Sequence, residues 1–166
     1  MNSGILTVQP QAAYLSVNTE SFGRRMDPFV AAQIGQDTKS TRVASQMHMN
    51  PVWQDVLTFR TNNDPVLNIQ VLDYDYMTAN DLIGQVSIPL ADIYRARRST
   101  SVYNLIQKGR PSGQISISFE FTPDGLGAIA PVNPYGTATA GYGAVSPFNV
   151  LSGGRPTSAN YQQPVN

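Results

Sequence analysis

The stretch VLDYDYMTANDLIGQV, residues 71–86, decides how this chain folds. It begins inside a candidate strand, VLNIQVLD at 66–73, in which Leu67, Ile69 and Val71 share one side and Asn68 and Gln70 the other. That period of two is the mark of a half-buried strand. The run ends in Asp73 and Asp75, crosses YMTAN, and resumes at Asp81 with an apolar, glycine-containing segment. Residues two apart in an extended chain project to the same side, so Asp73 and Asp75 point together. The five-residue loop is long enough to fold Asp81 back toward them. Like charges that close repel, and something must hold them. A hard cation such as calcium takes 6–8 oxygen ligands from carboxylates, carbonyls and water. The alternative is that these aspartates cap turns through their own side-chain hydrogen bonds, a chemistry that needs only one of the three.

Outward from this stretch the pattern repeats. Segments 5–9, 29–35, 41–46, 56–61, 84–90, 102–106 and 113–121 read as further strands, separated by turn residues. In QISISFEF, Ile115, Ile117, Phe119 and Phe121 fall on one face. Pro51, Pro65 and Pro111 lie between runs, where they interrupt no ladder. One short helix is expected, over LADIYRARR at 90–98. Eight strands at this spacing predict an all-β fold, an eight-stranded antiparallel β-sandwich.

Composition divides the chain near Pro123. Residues 1–122 hold all of the patterned segments, whereas residues 123–166 carry one acid, Asp124, and one base, Arg155. This second segment, rich in Gly, Pro, Ala and Asn, cannot bury enough apolar surface to offset its ordering entropy. It is expected to be disordered alone or ordered by a protein partner. The whole chain carries 11 basic and 11 acidic side chains. That balance is not the basic excess of a nucleic-acid binder, so no nucleic-acid partner is expected. With no cysteine, disulfides and thiolate metal sites are excluded, and one histidine leaves little for soft metals. The opening MNSGILTVQP has neither a basic region nor a long apolar run, and no window approaches a membrane span. The expected location is cytoplasmic. No serine–histidine–aspartate arrangement and no phosphate-cradling glycine loop is readable, so no enzyme is expected. Trp53 is assigned to the core and His48 to the surface.

These residues resemble a known family. VLDYDYMTANDLIG is similar to the third calcium-binding loop of C2 domains of the protein kinase C and synaptotagmin type. GILTV at 4–8 resembles their opening strand, DPFV at 27–30 the end of the first loop, and NPVWQDVLTF at 50–59 their Asn-Pro-x-Trp segment. The resemblance covers about residues 4–121, in the order called type II. It implies a non-enzymatic, calcium-dependent phospholipid-binding module, peripheral to the membrane. Its metal ligands would be Asp27, Asp73, Asp75 and Asp81, with Thr78 supplying a hydroxyl or carbonyl. Where the family has a fifth carboxylate, this chain has Ser21, so one ion, held weakly, is expected. The membrane-inserting positions would be Phe22, Tyr76 and Met77, unless Phe22 and Met77 fold inward. The family's concave basic surface is represented only by Lys39 and Arg42. Arg95, Arg97, Arg98, Lys108 and Arg110 form a separate basic group, either a solvated face or a phosphate contact. A second reading stands beside this one. Arg24 and Arg25 could neutralise the aspartates permanently, giving a calcium-independent structural module in a cytoskeletal or ciliary assembly, with the tail running along its neighbours.

Overall fold

The computed structural model describes residues 2–21 and 23–125, so the tail and its expected disorder or partner lie outside the described residues, apart from its first three. Eight strands and one helix follow in order: β1 (Ser3–Leu15), β2 (Pro28–Ile34), β3 (Asp37–Ser40), β4 (Leu57–Asn62), β5 (Val66–Asp73), β6 (Asp81–Pro89), α1 (Ala91–Ala96), β7 (Arg98–Gln107) and β8 (Arg110–Pro123). The spatial order is β3-β2-β5-β6-β7-β8-β1-β4, and every pairing is antiparallel. Only one residue pair, Gln85 with Ile106, links β6 to β7. The strands therefore form two four-stranded sheets joined along one seam, with their apolar faces packed together as a sandwich.

Alternation explains which face is inside. Leu67, Ile69 and Val71 of β5 are buried, as are Ile115, Ile117, Phe119 and Phe121 of β8. In β1 the buried residues are Gly4, Leu6, Val8 and Pro10, then Ala13 and Leu15. The parity changes because the register with β8 shifts between Pro10 and Ala12. A bulge there adds one residue and turns the following side chains back toward the core. Trp53 is buried beneath the sheets, and its indole Nε1 donates to the Pro28 carbonyl at 3.3 Å.

Several expectations need correction. β1 and β8 run well beyond 5–9 and 113–121, because bulges let both strands bend and stay paired. β7 likewise exceeds 102–106: the helix expected over 90–98 ends at Ala96, and Arg98 already pairs with Glu120 of β8. Pro111 lies inside β8, not between runs; it faces Ile106, where the register with β7 is irregular and no ladder N–H is required. The segment 41–46 is not a strand. The Thr41 hydroxyl accepts the Val30 N–H at 2.9 Å and donates to the Arg42 carbonyl, which ends the ladder along β2, and Asp37–Ser40 pairs there instead. The chain from Thr41 to Trp53 then forms a strap. It donates to the edge of β2 (Thr41 N–H to Val30, Ala44 N–H to Pro28) and bonds to β1 through Leu15 N–H to Met49, Ala13 N–H to Pro51 and Trp53 N–H to Gln11. Finally, His48 on this strap is half-buried, and its Nδ1 accepts the Met26 N–H at 3.3 Å.

The acidic tip and its neighbours

One end of the sandwich gathers four connections: residues 16–27 between β1 and β2, the strap, residues 74–80 between β5 and β6, and the two-residue turn Lys108–Gly109 between β7 and β8. Register fixes this. Asp73 pairs with Pro28 on one side and Asp81 on the other. Gln107 donates its side-chain amide to the Leu82 carbonyl, and Ser16 N–H donates to the Ser112 carbonyl at 2.9 Å. The far end holds the start of β1, α1 and the end of β8, where Asp124 N–H meets the Ser3 carbonyl at 2.8 Å.

At the tip, Asp73 is buried, at 2% exposure. Its two carboxylate oxygens accept the Asp27 N–H at 2.7 Å and the Thr19 hydroxyl at 2.6 Å. Asp27 in turn accepts the Gln46 N–H at 2.5 Å, and its carbonyl takes the Tyr74 N–H at 3.1 Å. Asp81 stands directly across from Asp73, a like-charge cross-strand pair that is unfavourable without a counter-charge. Desolvation, followed by the charges of Asp73 and Asp81, raises the Asp75 carboxyl above its ordinary value. The loop between is shaped by Asn80, whose side chain accepts the Asp75 N–H at 3.1 Å. Thr78 is exposed on this loop. Tyr76 and Met77 project into solvent at 89% and 90% exposure, so Met77 does not fold inward. Phe22 lies outside the described residues.

The arginines do not neutralise this cluster. Arg25 donates to the Gln46 carbonyl at 3.4 Å, and among the described residues no ion pair joins Arg24 or Arg25 to Asp27, Asp73, Asp75 or Asp81. Whether the tip suits calcium is answered by its donors. Asp73, Asp75 and Asp81 supply hard oxygens that act on one another's charge, among the described residues no ion pair ties them to a base, and Asp73 is already oriented by Thr19 and Asp27, so the donor set matches calcium in charge and chemistry. It is not a finished cage: among the described residues, no three acidic or histidine side chains form a ready metal-holding group.

The expected basic group is two groups. Arg95, Arg97 and Arg98 lie at the far end, where Arg95 pairs with Asp92 and Arg98 with Glu120. Lys108 and Arg110 lie at the acidic tip, separated from Arg98 by the ten residues of β7, about 30 Å of strand. The concave surface is also not basic. Lys39 pairs with Asp37 at 3.3 Å and Arg42 with Asp55 at 3.0 Å. The outer face of β3-β2-β5-β6 instead holds a shallow groove of about 270 Å³ lined by Gln33, Thr38, Asn68, Gln70, Gln85 and Ser87. Sequence reasoning missed Thr19 and Gln46, which carry no motif. It also missed the tip position of Lys108–Gly109, which its turn chemistry could have given once the strand order was set.

Comparison with known proteins agrees with this architecture. The chain is 30% identical to elicitor-responsive protein 3 of Oryza sativa subsp. japonica over 101 residues, 60% of this chain and 70% of that protein. It is also 30% identical to tricalbin-1 of Saccharomyces cerevisiae over 130 residues, 74% of this chain but 11% of that much longer protein. Among solved structures, a single C2 domain of plant extended synaptotagmin 1 superposes with a TM-score of 0.62 at 19% identity, covering 74% of this chain and 97% of that one. The calcium-bound pair of C2 domains of extended synaptotagmin 2 superposes with a TM-score of 0.62 at 20% identity, covering 73% of this chain and 46% of that one. The family model for the C2 domain matches residues 4–105, and the chain belongs to the C2 domain family.

Proposed function

We propose that this chain is a non-enzymatic module that binds anionic phospholipid membranes peripherally and in response to calcium, from the cytoplasmic side. The observation that carries this reading is the set of tip carboxylates that no ion pair joins to a base among the described residues, on the same end as the exposed Tyr76 and Met77. Asp27, Asp73, Asp75 and Asp81, with Thr78, would hold one ion. Calcium would supply the positive charge that relieves their repulsion and draws lipid phosphate to the tip. Asp73 keeps its place through Thr19 and the Asp27 amide, so the strand ends do not splay when the charges change. Met77 and Tyr76 then trade solvent for the membrane interface, each contributing about 1–2 kcal/mol by area.

Calorimetric titration of calcium, with co-sedimentation on phosphatidylserine vesicles, tests this. Asp75→Asn should lose calcium binding, and Ser21→Asp should tighten it because affinity follows ligand charge. Vesicle binding should follow the same order. No heat from calcium, and a melting temperature that ignores chelator, would reject the reading and favour the calcium-independent structural module instead. In that event Arg24→Ala with Arg25→Ala should destabilise the fold. On the present geometry, that pair of changes should stay within about 0.5 kcal/mol.

A further inference from the structure

Charge pairing on this domain is sharply uneven. Five bases are held in ion pairs: Lys39 with Asp37, Arg42 with Asp55, Arg60 with Asp124, Arg95 with Asp92 and Arg98 with Glu120. Among the described residues, the bases outside any ion pair are Arg24, Arg25, Arg97, Lys108 and Arg110. All but Arg97 stand at the acidic tip. Among the described residues, every surface cation away from the tip except Arg97 has a partner, while those at the tip face solvent.

Lys108 and Arg110 differ from the loop arginines in how they are held. Lys108 and Gly109 both adopt positive φ, 49° and 75°, the signature of a tight two-residue hairpin whose twist matches the strands it joins. Gln107 and Arg110 are the paired residues on either side. The Gln107 side chain ties this hairpin to the Leu82 carbonyl, next to Asp81. The two cations are thus mounted on a rigid turn at the level of the acidic loop. A lysine in the left-handed region gives up conformational ease that Asn or Gly would keep, so its charge sits there at some steric cost.

We propose that the β7–β8 hairpin is a fixed electrostatic contact for an anionic phospholipid bilayer, one that operates without calcium. It rests on the membrane reading above and extends it. Glu20, Asp27, Asp73, Asp75 and Asp81 against Arg24, Arg25, Lys108 and Arg110 leave the described tip with one net negative charge. That small excess does not repel a bilayer strongly, and Lys108 and Arg110 stand on the turn joined to Leu82 through Gln107, exposed for contact with lipid phosphate. The hairpin therefore gives a weak, salt-sensitive association that places the acidic loop at the membrane before any ion is bound.

The test uses the full chain and vesicles of phosphatidylcholine with and without about 30% phosphatidylserine, a composition on the order of that of anionic leaflets. Lys108→Asn with Arg110→Gln keeps the turn, since Asn tolerates positive φ. Arg95→Gln at the far end is the control, and melting temperatures verify that each variant is folded. In chelator, the wild-type chain should bind the anionic vesicles weakly and release them as salt rises. The hairpin variant should lose this binding and should need about 30-fold more anionic lipid with calcium present, since each basic residue near such a surface is worth about fivefold. Arg95→Gln should match wild type. Equal binding by wild type and hairpin variant overturns the hairpin contact while leaving the calcium reading intact. A wild-type chain that ignores anionic vesicles both with and without calcium overturns both.

Discussion

Gly84 lies beside the bulge in β6, where the register with β5 shifts after Val71, and it packs against β7 and β8. A Cβ placed there would overlap the Ser112 hydroxyl and stand 2.9 Å from Leu105 Cβ, whereas Ser112 Cβ is 3.6 Å away. The Ser112 hydroxyl is itself fully buried, and among the described residues it has no hydrogen-bond partner. Gly84→Ala should therefore cost about 1–3 kcal/mol, the usual penalty of overpacking. Ser112→Ala removes a buried, unsatisfied hydroxyl and should be neutral or stabilising by about 1 kcal/mol. In the double variant the hydroxyl overlap is gone and only Leu105 must shift, so the cost should fall by at least half. Urea unfolding of the four chains, compared at constant m, reads the coupling directly. Two outcomes refute the reasoning. Additive penalties would mean that the hydroxyl is not what opposes Gly84. A Ser112→Ala chain weaker by about 1 kcal/mol or more would mean that the hydroxyl is bonded in the native protein.

Trp53→Ala should cost about 3–5 kcal/mol, since the ring is 5% exposed and its indole holds the Pro28 carbonyl; a native fluorescence spectrum typical of water-exposed tryptophan would contradict this. A chain stopped after Asp124 should keep its cooperative melting transition, because the buried apolar side chains among the described residues lie between Leu6 and Phe121 and Asp124 still reaches Ser3 and Arg60; loss of cooperativity would move the domain boundary into the tail. The Tyr94 phenol is raised by burial, against a smaller lowering by the Thr61 hydroxyl, with the Asp64 charge adding to the rise. A raised folded value means that its contribution is complete below the ordinary tyrosine range and lost as pH climbs through the folded one. Tyr94→Phe, which forfeits the hydrogen bond to the Asp64 carbonyl, should cost about 1 kcal/mol at neutral pH and show a shallower loss above about pH 10, read by urea midpoints across that range.

Much of this architecture could be read from alternation alone. β5 was expected at the residues where it occurs, and the inward face of β8 was given by Ile115, Ile117, Phe119 and Phe121. What escaped were features set by neighbours in space. Segment 41–46 alternates like a strand, yet one hydroxyl, that of Thr41, takes the N–H a ladder would need. The long β1 was hidden by its bulge, which breaks the period that identifies a strand. At the tip the carboxylates were legible because three of them fall within nine residues. Of their supports, Thr19 comes from a segment with no pattern, and Gln46 closes the segment 41–46 that alternation assigned to a strand, so neither was visible as a partner of the carboxylates. The basic residues misled for the same reason: Arg98 and Lys108 are ten apart in sequence, and a strand between them puts them at opposite ends of the domain.

The strap from Thr41 to Trp53 belongs to neither sheet, yet it occupies the hydrogen-bonding edge of both. In native-state hydrogen exchange, the amides of Ala13 and Leu15 should then open with the strap and not with global unfolding, although both residues are buried in β1. The same segment carries Gln46, the backbone donor to Asp27. Release of the strap and loosening of the Asp27 carboxylate are one event. A cation that prefers Asp27 in place must slow exchange at Ala13 and Leu15, in residues that do not touch it, and opening of the strap must weaken the cation by the same factor.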